Sequence, residues 1–164
     1  MNVALIGMMG AGKTTIGKLL AEKLNLKFID TDEEIIKIEN CSINEIFAKQ
    51  GEETFRRIET NVLKNILNSD NQIIATGGGI IKKEENRNLL KQVKTIYLKA
   101  DKETILDRVK NDNSRPLLNT ENLKETIQTI LQEREQLYEQ SQFVITTTNK
   151  TQNEVVTEII EKIN

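Results

Sequence analysis

The run Gly7-Met8-Met9-Gly10-Ala11-Gly12-Lys13-Thr14 fits the pattern G-x-x-x-x-G-K-[ST]. These residue types bind polyphosphate. Glycines let backbone N–H groups turn inward around a β-phosphate, and a helix that follows adds the favourable end of its dipole. Lys13 brings a point charge to the β and γ oxygens, and the Thr14 hydroxyl can ligate magnesium. The plain alternative is a glycine-rich turn with an exposed lysine. The context favours the phosphate loop: Val3-Ala4-Leu5-Ile6 reads as a buried strand just before it, and a helical apolar pattern follows.

Further along, Phe28-Ile29-Asp30-Thr31-Asp32 sets two carboxylates at the end of a second predicted strand. Phosphoryl transfer needs a magnesium anchor and a group that orients the attacking hydroxyl and takes its proton, and two Asp at i, i+2 can divide those tasks. The alternative is helix capping, with Thr31 and Glu34 as a capping box. In Phe55-Arg56-Arg57-Ile58-Glu59 an arginine with a nearby glutamate suggests a held guanidinium, ready for a bidentate carboxylate; a surface ion pair is the alternative. Thr76-Gly77-Gly78-Gly79 follows a third strand, and three glycines favour the close approach of something to the backbone. Arg115-Pro116-Leu117-Leu118 sits in a polar stretch over 110–122 and reads as a lid carrying positive charge to a transferring phosphoryl group. Arg134, between Glu133 and Glu135, reads in isolation as part of a solvated helix face.

A phosphate loop also serves GTP switches. Those read guanine with N-K-x-D, and here Asn149-Lys150-Thr151-Gln152 puts an amide where the carboxylate belongs. ATP is the better expectation. Composition removes other chemistries. The 164 residues contain no His and one Cys, which excludes His-based catalysis, internal disulfides and Cys-rich zinc sites. Any metal must then sit on oxygen donors, which points to magnesium. A net charge of -2 gives no electrostatic case for nucleic acid or a membrane surface. No apolar run reaches the roughly 18 residues of a membrane span, and no basic region precedes the first apolar run as in a signal peptide. A cytoplasmic monomer is expected.

The elements that must position these residues alternate. Strands are expected at Val3–Ile6, Phe28–Ile29, Ile73–Ala75, Thr95–Leu98 and Phe143–Ile145, with helical patterns between most of them. That predicts an α/β fold of three αβα layers around a five-stranded parallel sheet. One domain over 1–164 is the simplest organisation. Residues 32–67 break the rhythm with three helices in a row, opened in part by the capping box Ser42/Glu45 and interrupted at Gly51, and read as a small helical lobe.

Taken together, G-x-x-G-x-G-K-T, F-I-D-T-D, F-R-R-I-E, G-G-G, R-P-L-L and R-x-x-L-Y, in this order over nearly the whole chain, resemble the shikimate kinase family of nucleoside-monophosphate-kinase-like enzymes. The resemblance implies that Gly10, Ala11, Gly12, Lys13, Thr14 and Thr15 bind ATP phosphates. It puts Thr14 and Asp30 on magnesium, makes Asp32 the base, and sets Arg56, Gly78 and Arg134 with Asp32 on shikimate. Glu59 would orient Arg56, Arg115 would be the lid arginine, Arg108 would lie against adenine, and Thr151 would fall near it. The implied reaction moves the γ-phosphate of ATP to the 3-hydroxyl of shikimate, in chorismate and aromatic amino-acid synthesis. A kinase of another small hydroxylated acid such as gluconate is the nearest rival. A non-catalytic nucleotide-binding module is a further one, but it would have lost Lys13, Asp32 or Arg115.

Overall fold

The computed structural model describes residues 1–110, 118 and 120–164. Five strands form one parallel sheet: β1 (Asn2–Ile6), β2 (Lys27–Asp30), β3 (Gln72–Ala75), β4 (Lys94–Lys99) and β5 (Phe143–Thr146), in the order β2-β3-β1-β4-β5. All four pairings are parallel. Each expected strand is present. β1, β3 and the middle of β4 are buried throughout, as strands covered on both faces must be.

Side chains alternate between the two faces. Val3 and Leu5 face α1 (Lys13–Leu24) and α7 (Gln152–Ile163), meeting Ile16, Leu20, Val156 and Ile159. Ala4 and Ile6 face the other layer, with α4 (Glu84–Leu90), α5 (Lys102–Val109) and α6 (Leu123–Tyr138) supplying Leu90, Ile105, Ile127 and Tyr138. Layers of helices on both sheet faces confirm the three-layer architecture.

Between β2 and β3 the chain forms α2 (Thr31–Glu39) and α3 (Ile43–Leu67). The Ser42/Glu45 capping box opens α3 as expected. Gly51 breaks it, with φ 82° and ψ 169°, so the run does fall into three helical pieces. Its last piece lies on the sheet, with Val62 and Ile66 against Ile74. Among the described residues no helix is long and apolar enough to cross a membrane.

Register sets the site. Asp30 pairs with Ala75, and Ala75 pairs with Leu5, so all three stand level at the C-terminal edge. The Asp30–Asp32 segment, the glycine triplet and the phosphate loop therefore leave the sheet side by side. In an open parallel sheet this edge, where strand order reverses, is where ligands bind.

Candidate active site

Three glycines of the phosphate loop have positive φ: Gly7 (145°), Gly10 (78°) and Gly12 (96°). At Gly10 a Cβ would also stand 2.7 Å from a Val109 methyl, so α5 closes one side of the loop. Lys13 opens α1 and is buried; its Nζ donates to the carbonyls of Gly7 and Met8, 2.8 Å each. The ammonium thus waits inside the loop, where β and γ oxygens can replace those carbonyls. Ala11 is buried in the loop and Thr15 is exposed beyond it.

Thr14 donates its hydroxyl to Asp30 Oδ2 at 2.8 Å. The other Asp30 oxygen accepts from the Asp32 N–H at 3.0 Å and caps α2. This corrects the capping alternative. Asp30 is the cap and Thr31 is already helical; the Thr31 hydroxyl accepts instead from Gly77 N–H at 3.0 Å. Glu34 pairs with Lys37. Thr14 and Asp30 form an adjacent pair of oxygen donors. That suits magnesium, which takes one or two protein ligands and fills the rest with water and phosphate oxygens. No cluster of three acidic, His or Cys ligands exists among the described residues.

Beside this pair lies a cavity of about 320 Å³. Its polar wall holds Thr14, Asp30, Asp32, Arg56, Glu59, Arg134 and the glycines 77–79. Arg56 is the held arginine of its helix, and Arg57 is exposed. Arg56 Nη1 donates to Glu59 at 2.9 Å, and Nη2 reaches Glu52 at 3.3 Å; Lys82 holds Glu52 at 2.8 Å. Glu59 is fully buried. Burial pushes its carboxyl up to about 7, with Arg56 and Arg134 opposing the rise and Asp32 adding to it. Arg134 is 3% exposed, so it is not on a solvated face. Its Nε and Nη1, and Nε of Arg56, are buried without a hydrogen-bond partner among the described residues. Buried guanidinium donors left unpaired are costly, and two such groups facing one cavity call for an anion.

Sequence reasoning missed what the outer glycines do. A Cβ on Gly77 would stand 2.8 Å from Asp32 Oδ1 and 2.9 Å from Glu59 Oε1. On Gly79 it would strike the Arg56 guanidinium at 2.3–2.5 Å. The triplet therefore makes room for the protein's own charged groups as well as for a ligand. Also missed was the cavity's apolar lining, formed by Ile36, Ile43, Phe47 and Phe55. The Phe47 and Phe55 ring centroids lie 4.8 Å apart. Of these residues only Phe55 lies in a motif, F-R-R-I-E; the others stand on α2 and on the part of α3 before the Gly51 break.

A second hollow lies on the far side of the phosphate loop, lined by Ala11, Gly12, Thr15, Arg108, Lys150 and Gln152 among others. Arg108 donates to the Gly10 carbonyl at 2.8 Å. The Thr151 hydroxyl is engaged in the capping box that opens α7, with Lys150 and Gln152 on either side of it reaching the hollow. Arg115, and Pro116 and Leu117 beside it, lie outside the described residues. The site is thus a cleft with a phosphate loop at its centre, a cavity with both charged and apolar lining on one side and a hollow on the other.

Comparison with known proteins agrees with this geometry. The sequence profile of the family described as "Shikimate kinase" matches residues 9–164. A shikimate kinase of Thermodesulfovibrio yellowstonii is 45% identical over 162 residues, which are 98% of this chain and 94% of that protein. Among solved structures, shikimate kinase from Acinetobacter baumannii in complex with shikimate superposes with a TM-score of 0.96 at 38% identity, covering 99% of this chain and 92% of that one. The shikimate kinase of Aquifex aeolicus gives 0.87 at 39% identity, with 99% and 96% covered. The parallel sheet, the phosphate loop beside an arginine-lined cavity, and likeness along the full length have one explanation: this chain belongs to the shikimate kinase family.

Proposed function

We propose that this protein transfers the γ-phosphoryl group of ATP to the 3-hydroxyl of shikimate, giving shikimate 3-phosphate and ADP in the route to chorismate and the aromatic amino acids. One observation carries the reading: Arg56 and Arg134, both buried with unpaired donors, share a cavity with Asp32 beside the phosphate loop. A ligand that satisfies all of them carries a carboxylate at one end and a hydroxyl at the other. The half-apolar cavity suits a ring.

In the reaction, Arg56 and Arg134 clamp the carboxylate and Gly78 contacts the substrate through its backbone. Fixing one end of a small ring fixes its far hydroxyl, and this removes much of the entropic barrier to reaction. Asp32 holds that hydroxyl and accepts its proton as the oxygen attacks the γ-phosphorus. The bond from that phosphorus to the β,γ-bridging oxygen breaks, and ADP leaves. Gly10 to Thr15 hold the phosphates, with Lys13 exchanging loop carbonyls for β and γ oxygens. Magnesium, held by Thr14 and Asp30, would neutralise charge on those oxygens. Arg108 lies along the adenine side, near Thr151, and Arg115 is proposed as the lid arginine. A monomer at work in the cytoplasm belongs to the same reading.

Product identity tests this reading. Phosphorus NMR of a reaction with ATP, magnesium and shikimate should show one phosphomonoester coupled to the proton on C3. Phosphate on another hydroxyl, or free phosphate alone, contradicts it.

A further inference from the structure

Tyr138 closes the R-x-x-L-Y motif, yet it does not line the substrate cavity. It is fully buried on α6, one turn beyond Arg134 on the same face. Its ring stacks on Tyr97 of β4, with centroids 5.0 Å apart and planes 22° apart. Its hydroxyl donates to the Gly78 carbonyl at 2.5 Å.

That bond fixes a peptide plane. Among the described residues no peptide bond is cis, so the Gly79 N–H points opposite the Gly78 carbonyl, away from Tyr138. Gly79 lines the cavity, and its N–H bonds to nothing among the described residues. Glycine is free to rotate this plane, since no side chain holds it. The surroundings give Gly78 a second neighbour: a Cβ there would stand 3.3 Å from the Met9 N and 3.5 Å from the Gly7 carbonyl oxygen. The triplet thus touches the phosphate loop on one side and is tied to α6 on the other.

We infer that Tyr138 is a positioning residue for substrate: its hydroxyl sets the Gly78–Gly79 peptide so that the Gly79 N–H is presented to the bound acid, in step with Arg134 on the same helix. The inference rests on the proposed shikimate reading. It concerns binding geometry, so it predicts an effect on one substrate only.

Tyr138→Phe keeps the ring and its stack and removes only the hydroxyl. The expected result is a KM for shikimate raised about tenfold, with the calorimetric Kd rising in parallel and KM for ATP within about twofold of wild type. A variant that loses thermal stability but keeps the wild-type KM and Kd for shikimate overturns the inference, since a purely structural bond would do that. If the variant does not fold, the wild-type Gly79 amide decides by NMR. Its hydrogen exchange should slow and its proton shift downfield when shikimate is added, and no change overturns the inference. Absence of shikimate turnover in the wild type would instead remove the underlying reading.

Discussion

Asp32 and Asp30 stand two residues apart and do different things. Asp30 is bound to Thr14 and to the α2 N-terminus, whereas Asp32 faces the cavity. Asp32→Asn should therefore leave ATP affinity near wild type while turnover falls by about two orders of magnitude or more; near-normal turnover would remove Asp32 from the base role. Glu59 gives a pH signature. Its folded pKa of about 7 lies above the ordinary 4.5, so the folded state binds more protons than the unfolded state between those values. Its contribution to stability is full below the lower value and is lost as pH rises through the upper one. Exposed carboxylates with lowered values, such as Glu45 and Glu154, act in the opposite sense and at lower pH. Melting curves of wild type and Glu59→Gln isolate the term: between pH 5 and 8 the wild type should lose about 5 °C more than the variant. Parallel curves would mean that Glu59 is ionised throughout. The carboxylates were legible in the sequence because their spacing at a strand end is itself the signal. Arg134 was not legible from its acidic neighbours in the chain, yet it shares one helical stripe with Ile127, Ile130 and Tyr138, all buried. Helical periodicity, rather than adjacent charge, carried that information.

The elements were the most readable part, because β-branched runs and glycine punctuation are local signals. Strand positions follow from Val, Ile and Leu runs buried on both faces. The cap of α2 was less readable, since Asp30, Thr31 and Asp32 can all cap a helix. The choice fell to Asp30 because Gly77, remote in sequence, engages the Thr31 hydroxyl. Thr151 poses the same question at α7, where its hydroxyl and Glu154 complete a capping box. Thr151→Ala should lower stability by about 1 kcal/mol through loss of the cap, and KM for ATP should change less than about threefold. A large rise in that KM at unchanged stability would assign the side chain to the nucleotide instead.

Across the molecule, the sheet edge brings together four segments that are distant in the chain: 7–14, 30–32, 77–79 and, through α6, Arg134. Only topology creates this proximity. The apolar lining of Ile36, Ile43, Phe47 and Phe55, the last with its ring under the Arg56 guanidinium, belongs to the same scale. A cavity lined in part by apolar side chains should discriminate against an open-chain polyhydroxy acid, whose hydroxyls would be left against them. The most direct test of the whole account is ADP release measured with ATP and magnesium against shikimate, gluconate, AMP and no acceptor. The account predicts acceptor-stimulated release with shikimate alone. Equal or greater stimulation by gluconate or AMP, or none by shikimate while ATP still binds, would contradict it.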